Sequence, residues 1–241
     1  MSAALWHDVE CAAYGADLAL WRRLAAERGG PVLDVGAGTG RVALDLAARG
    51  HEVVAVDLDP DLVTACAERA AERSLPVTAL AGDARDLTLD SRHPLAIAPM
   101  QVAQLMGSDE ARAEMLAALL GVLEPGGLLA VALADPFEDI PAGDLLPPLP
   151  DVLERDGWVL SSTPVAVRQL DGSVAIDRRR QAVSPAGELS DEPATIVVDT
   201  VDPEAFARQG ADAGFTVLEP GWVPETRDYV GSTIVMLEAP R

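Results

Sequence analysis

The sequence predicts an α/β protein built on a mostly parallel sheet, with an antiparallel strand unit inserted late in the chain. Three observations carry this expectation. Short apolar runs alternate with helix-period segments through the first half, as in βαβ units. The first apolar run passes straight into a glycine-rich loop. Beyond residue 158 the pattern changes to strand-period runs without intervening helices.

Val32–Val35 reads as a buried strand, and Arg41–Arg49 as a helix closed by Gly50. Val53–Val56 is the second strand, followed by a helix over Asp61–Glu72 with Pro60 just before it. Val77–Ala81 and Leu95–Ala98 read as strands three and four. Asp109–Leu123 is strongly helix-periodic, with Met115, Leu116, Leu119, Leu120 and Leu123 on one face. Pro125-Gly126-Gly127 cannot continue that helix, and Leu128–Leu133 leaves as the fifth strand. One N-terminal helix is expected over roughly Val9–Ala26. Trp6, Tyr14 and Trp21 gather in this region, suited either to core packing or to a cover over a pocket.

Around Asp135 the character changes. Pro136–Pro150 is rich in Pro, Gly and Asp and reads as a loop. Trp158–Gln169, Val174–Val183 and Ala194–Val201 read as strands, with Asp171-Gly172 turning between the first two. Asp202-Pro203-Glu204 opens a helix to about Ala213, stopped by Gly214. Phe215–Val223 and Thr233–Leu237 form a last strand pair. The expected organisation is one domain over residues 1–241, with 136–201 as an inserted lid or dimerisation unit.

Apolar residues make up 49% of the chain, enough for one sizeable core, but aromatics only 4%, so Ala, Val and Leu must fill it. The formal charge is −21, and all 18 cationic residues are arginines. Such acidity opposes nucleic acid and anionic membranes unless a basic face is concentrated somewhere. Arg178-Arg179-Arg180 is too short for that, so neither partner is expected. The acidity suits a cationic or amine ligand, and equally solubility or a salty habitat. Cys11 and Cys66 lie far apart inside helices and support neither a disulfide framework nor a metal site. No stretch approaches a membrane span, and the N-terminus lacks a basic-then-apolar leader. A metal-free cytoplasmic protein is the expectation.

The chemistry is concentrated in Asp34-Val35-Gly36-Ala37-Gly38-Thr39-Gly40-Arg41. Glycines at alternate positions permit a tight turn and let a ligand lie against bare backbone. The helix that follows offers unpaired N–H groups to an anion. Asp57 ends the second strand about 20 positions on, where a carboxylate meets ribose hydroxyls in nucleotide-binding α/β folds. A strand-end acid can also merely cap the next helix, which Asp59 could do instead. Loop and carboxylate together favour an adenosine ligand.

The spacing here is G-x-G-x-G, not the G-x-G-x-x-G that leaves room for a pyrophosphate. With Asp34 ahead of it, it resembles motif I of the class I S-adenosylmethionine (SAM)-dependent methyltransferases, where the loop holds the methionine end of SAM. The resemblance continues in order over residues 30–135. Asp57 matches the family's ribose acid, and Leu58 the apolar residue against adenine. Ala81-Gly82-Asp83-Ala84-Arg85 matches the segment in which Asp83 accepts from the adenine amino group and Ala84 offers a backbone N–H. Pro125-Gly126-Gly127-Leu128 matches the turn before strand five. The resemblance implies a Rossmann-like SAM-methyltransferase fold with a seven-stranded sheet, Phe215–Val223 and Thr233–Leu237 being strands six and seven. It implies SAM as cofactor, held by a set comprising Tyr14, Asp34, Gly36, Ala37, Gly38, Gly40, Arg41, Asp57, Leu58, Asp83, Ala84, Arg85, Ala98 and Met100. The inserted strands resemble the small-molecule branch, including sugar-amine and glycine-type N-methyltransferases, where they form a lid or a homodimer face.

One segment departs from the pattern. Ala98-Pro99-Met100-Gln101-Val102-Ala103-Gln104 lacks the N/D-P-P-[YF] motif of nucleobase amino methylation and a Pro-Cys nucleophile. By position Met100, Gln101 and Gln104 lie near the transferred methyl; equally they could be a strand end running into a helix. Gln101, Gln104, Arg178 and Tyr229 are the candidate acceptor contacts. Arg41 and Arg178 could hold an acceptor carboxylate or phosphate. Methyl transfer from a sulfonium needs alignment and exclusion of water, and a general base only for some acceptors. Candidates for that base are His7, Glu10, Tyr14, His93, Tyr229 and the carboxylates of 135–145, each with an ordinary packing or surface reading beside it. His51 and His93 are expected to point away from the cofactor end. The expected activity is methyl transfer from SAM to N or O of a small molecule. A SAM-fold protein that does not methylate, and an NAD-type oxidoreductase that the glycine spacing opposes, stand as alternatives.

Overall fold

The computed structural model describes residues 1–134, 149–227 and 229–241. The central sheet contains β1 (Val32–Val35), β2 (Val53–Asp57), β3 (Val77–Ala81), β4 (His93–Ala98) and β5 (Leu123–Ala134). These five are parallel neighbours in the order β5-β4-β1-β2-β3. The helices between them are α3 (Arg41–Ala47), α4 (Pro60–Glu72) and α5 (Asp109–Val122), preceded by α1 (Ala3–Cys11) and α2 (Leu18–Arg28). After α6 (Pro203–Asp212), β10 (Thr216–Val217) and β11 (Gly221–Val223) both pair antiparallel with β12 (Ser232–Glu238), which lies antiparallel beside β5.

The sheet carries helices on both faces because its residues alternate between two apolar clusters. Leu33, Ala96, Leu129, Val131 and Val235 face α5 and Phe206 of α6. Val32, Leu95, Ile97, Leu128 and Ala130 face Trp21 and Leu24 of α2 and Val42 and Leu46 of α3. Burial on both faces is why these strands read as continuous apolar runs. The helix starts follow from caps written in the sequence. Asp59 accepts from the Asp61 N–H ahead of α4 at 2.8 Å, Ser108 from Ala111 ahead of α5 at 3.2 Å, and Asp202 from Ala205 ahead of α6 at 2.7 Å.

A second, fully antiparallel sheet comprises β6 (Asp151–Arg155), β7 (Trp158–Leu170), β8 (Ser173–Val183) and β9 (Leu189–Asp199). Leu170 pairs with Ser173, so Asp171-Gly172 is a two-residue turn as the sequence indicates. The sheet is tied to the core at two places. Arg112 of α5 donates to the Asp199 carboxylate at 2.5 Å, and α1 lies between the two sheets. Trp6 and Val9 of α1 pack on Leu160 and Ala182 of the second sheet.

Several expectations need correcting. The N-terminal helix is two helices, because the chain turns between Cys11 and Leu18 and Asp17 is turned inward to serve Trp21 and Arg41. β6 has no counterpart among the expected strands. β9 begins at Leu189 rather than Ala194, since its charged start, Ser190-Asp191-Glu192, pairs with β8 on an exposed edge. The sixth strand is split at Leu218–Pro220 into β10 and β11. Residues 136–148 of the expected loop lie outside the described residues, as do the carboxylates of 135–145.

A candidate SAM site at the carboxyl ends of the strands

The loop between β1 and α3 is held in shape by backbone bonds: Ala37 N–H donates to Val56 O at 3.0 Å, and Gly40 N–H to Ala37 O at 2.9 Å. Glycine is required in this loop for both conformation and space, most sharply at Gly36 and Gly38. Gly36 has φ +66°, and a Cβ there would lie 2.4 Å from Val102 Cγ2. Gly38 has φ +57°, and its Cβ would lie 2.3 Å from His7 Nε2. The loop is thus covered by side chains from two other segments, the strand-four exit and α1.

A cavity of about 300 Å³ opens beside this loop. Asp34, Gly36, Ala37 and Arg41 line one side, and Pro99, Met100, Gln101, Val102 and Leu105 a second. Trp6, His7, Glu10 and Cys11 of α1 close the third, with Arg180 of β8 and Ile196 of β9 reaching in from the second sheet. Met100 adopts a left-handed backbone, φ +60°, a strained conformation of the kind that gathers at functional sites.

Asp34 is fully buried, and no side chain hydrogen-bonds either carboxylate oxygen. Burial pushes its pKa up to about 7, opposed by the charge of Arg41 and the Ala43 backbone N–H, while Asp17 and Asp57 reinforce the rise. A buried carboxylate without a side-chain partner on a cavity wall suits a ligand ammonium, which would supply one. His7 is held below its ordinary pKa by burial, opposed by the charges of Asp57 and Asp8. Burial also raises the Cys11 thiol to about 11, with Glu10 adding to it, so this cysteine stays protonated.

At the neighbouring strand end, Asp57 accepts from Gly38 N–H at 2.7 Å and from Asp59 N–H at 3.0 Å. Leu58 beside it is 68% exposed, an apolar surface with nothing packed on it. Asp57 is paired in register with Ala81, which places Asp83 on the adjoining loop. There Arg85 grips Asp83 through Nε and a terminal nitrogen, and that pairing holds the Asp83 carboxyl below its usual range. Ala84 is buried next to them.

The structure therefore brings Asp34, Gly36, Ala37, Arg41, Met100 and Gln101 to one cavity, with Gly38, Gly40 and Asp57 beside it. Other candidates are placed differently. Arg41 is bound bidentately by Asp17 at 2.7 Å and also donates to Tyr14 O, so its charge is already paired. Its guanidinium lies 5.0 Å from the Tyr14 ring centroid, and Tyr14 stacks at 4.9 Å on Tyr229, joining three remote segments. Ala98 is wholly inside the core. The Gln104 amide is spent on backbone, accepting from Ala134 N–H at 2.8 Å and donating to Asp199 O at 3.2 Å. Arg178 binds Asp151, donates to Ser162 Oγ at 2.7 Å and lies 3.4 Å from Glu10. His93 starts β4 at the opposite end of the sheet and meets Pro31 O.

Sequence reasoning left Trp6 open between core packing and a cover over a pocket, and missed the cavity-wall roles of Arg180 and Ile196. A signal was present for α1: Ser2 caps it by accepting from Leu5 N–H, a start eleven positions or fewer from every residue that faces the loop. Alternation along β8 was the signal for Arg180, since it shares a face with Arg178 and both reach Glu10, while Arg179 turns outward to Asp191. Among the described residues no group of His, Cys, Asp and Glu is arranged to hold a metal, and no helix is long and apolar enough to cross a membrane.

Comparison with known proteins agrees with this geometry. Residues 32–127 match the family model described as a methyltransferase domain. The chain is 33% identical over 132 residues to the cypemycin N-terminal methyltransferase of a Streptomyces species, a match spanning 54% of this chain and 52% of that protein. This chain therefore aligns with about half the length of that curated relative. Among solved structures it is similar to the sugar N-methyltransferase KedS8 from Streptoalloteichus, with TM-score 0.74 and 18% identity over 100% of this chain and 94% of the other. It is similar also to SAM-bound CalS10, an amino pentose methyltransferase from Micromonospora echinaspora, with TM-score 0.71 and 18% identity over 98% of both. At such identities the likeness shows the fold. The fold is that of the class I SAM-dependent methyltransferases.

Proposed function

We propose that this chain is an enzyme that transfers the methyl group of SAM to an amine nitrogen of a small molecule or peptide. The observation that carries the reading is Asp34, a fully buried carboxylate without a side-chain partner on the wall of the cavity beside the glycine loop. A cofactor that brings an ammonium to that point converts a desolvation cost into a charge-assisted pair. Asp57 and Leu58 would serve the ribose and adenine, and Asp83 with Ala84 the adenine edge. When bound, SAM supplies an electrophilic methyl on a sulfonium. The chain's own residues then have to align the acceptor and keep water out.

Trp6, Met100, Leu105 and Ile196 give the cavity apolar walls opposite the loop, suited to excluding water. The choice of nitrogen is supported by the likeness to proteins that methylate a peptide N-terminus and sugars on nitrogen. We take the second sheet as a cover over the acceptor side, because it contributes Arg180 and Ile196 to the wall. The test is calorimetric titration with SAM, S-adenosylhomocysteine and NAD, followed by labelled-SAM assays on amino sugars and peptides with a free α-amine. Binding of the first two with methylation of an amine is expected. Failure of SAM and its product to bind overturns the reading, and binding without turnover leaves a SAM-fold protein that does not methylate.

A further inference from the structure

His7 lies on α1 with the Nε2–Cε1 edge of its ring against Gly38, and lines the cavity. Its Nδ1 is 3.3 Å from Thr39 Oγ1, and that hydroxyl is 2.8 Å from Asp8 Oδ1. The proton positions in this chain of contacts follow from counting donors. The Asp8 carboxylate accepts from Arg69 at 2.9 and 2.5 Å, so it serves here as an acceptor. Thr39 has a single hydroxyl hydrogen and gives it to Asp8. The contact between Nδ1 and Oγ1 must then be made by a hydrogen on Nδ1. A neutral imidazole has no second N–H, so Nε2 carries a bare lone pair. Among the described residues no side chain or backbone group bonds Nε2.

We propose that His7 Nε2 is the proton acceptor for the amine being methylated, fixed in that tautomer by the Asp8–Thr39 pair. This rests on the reading of the site as an amine methyltransferase. An amine arriving as ammonium has no lone pair to attack with. His7 Nε2 takes one proton from it, and the freed nitrogen lone pair forms the N–CH3 bond. The CH3–S bond breaks and its electron pair stays on sulfur, while the transferred proton leaves His7 to solvent. The charges packed around the ring are Asp8 on its own helix, Asp57 from β2, Arg41 from α3 and Arg69 from α4. The second sheet brings Arg155 to Asp8 and Arg180 to Glu10. Burial outweighs the two carboxylates and keeps the ring neutral near pH 7, the state that can accept a proton.

The test has two arms. Long-range proton–nitrogen spectra of the full chain, with histidine labelled by nitrogen-15 and assigned through His7→Gln, report the tautomer without any acceptor. A neutral ring with Nδ1 protonated at pH 7.5, and loss of that preference in Thr39→Val, is expected. Protonation at Nε2, or a charged ring, overturns the assignment. In the second arm labelled SAM is the donor, with glucosamine and trialanine as amine probes. His7→Gln is expected to lower kcat/KM about 100-fold at pH 7 and progressively less as pH rises toward the amine's own pKa. Its effect on SAM affinity, read separately by calorimetry, should be much smaller than the loss in kcat/KM. An equal loss at every pH, or SAM binding weakened more than tenfold, places His7 in cofactor binding instead and overturns the proposal. Absence of SAM binding in the wild type would fell the underlying reading, a result distinct from either.

Discussion

The Asp57 carboxylate accepts the Gly38 backbone N–H at 2.7 Å, so the acid at the end of the second strand holds the middle of the glycine loop. One side chain thereby shapes the loop and, in the function proposed above, would also take the ribose. Asp57→Ala removes both functions. It should weaken SAM by ~1–3 kcal/mol, read by calorimetry, the scale of hydrogen bonds lost from one partner. Asp57→Asn keeps an acceptor for Gly38 and should recover part of that loss. Unchanged SAM affinity in the alanine variant would remove the ribose assignment.

Asp34 makes the binding pH-dependent. Its pKa near 7 in the free protein means that it must lose a proton to pair with an ammonium. SAM affinity should therefore fall about tenfold per unit as pH drops below 7, and Asp34→Asn should abolish that slope along with tight binding. Stability moves the other way. A carboxyl raised in the fold favours the native state most at low pH, and that contribution shrinks as pH climbs from about 4 to 7. Asp34→Asn should thus raise the Tm of the unliganded protein at pH 8, by about 4 °C. A lower Tm there would count against the buried-carboxylate account.

Gly38 and His7 make a pair that substitution can separate. Gly38→Ala meets both a positive φ and His7 Nε2 at 2.3 Å. It should cost on the order of 2 kcal/mol in chemical denaturation, part from the backbone and part from the clash. His7→Ala in the same chain removes only the clash, so the double variant should recover a fraction of the loss. Strict additivity of the two substitutions would show that His7 does not cover the loop.

Glu10 is the joint between α1 and the second sheet. It accepts from Arg180 at 2.8 and 2.9 Å and from Ser162 Oγ at 2.7 Å. Burial alone would raise its pKa, but the donors Arg180 and Ser162 outweigh it and hold it low. Glu10→Ala strands Arg180, while Arg178 keeps Asp151 and Ser162, and should destabilise by about 3 kcal/mol near pH 7. Since the folded pKa is depressed, the wild-type advantage is full above the ordinary glutamate range and should vanish as pH falls through the folded value. A constant difference down to pH 3 would argue that packing, not charge, is what Glu10 supplies.

The parts of this architecture that repeat along the chain were legible, and the parts that depend on distant segments were not. β1 and β3 have the bounds that apolar runs between turn residues suggest, and α4, α5 and α6 begin within a residue of their expected starts. Local chemistry was enough there. The break after Cys11 was not visible, because it depends on Asp17 finding Arg41 on α3 and Trp21 on α2. Gln104 and Arg178 looked available in sequence, yet each is consumed by a partner 30 or 27 residues away, Ala134 and Asp151. Side chains of the glycine-loop segment could be placed from local spacing, whereas the wall opposite is assembled from α1, β8 and β9 and has no contiguous motif to read.

Every ion pair described above uses a guanidinium, for the chain contains no lysine. Apart from its amino terminus, a protein proposed to methylate amines thus offers none of its own to be modified. Automethylation on lysine is closed to it. Radiolabel retained on the purified polypeptide after incubation with labelled SAM would not come from lysine, which lowers the background for screening amine acceptors. The same property shields it from reagents that acylate lysine, so amine-directed capture or crosslinking would report only its partners and that single terminal group.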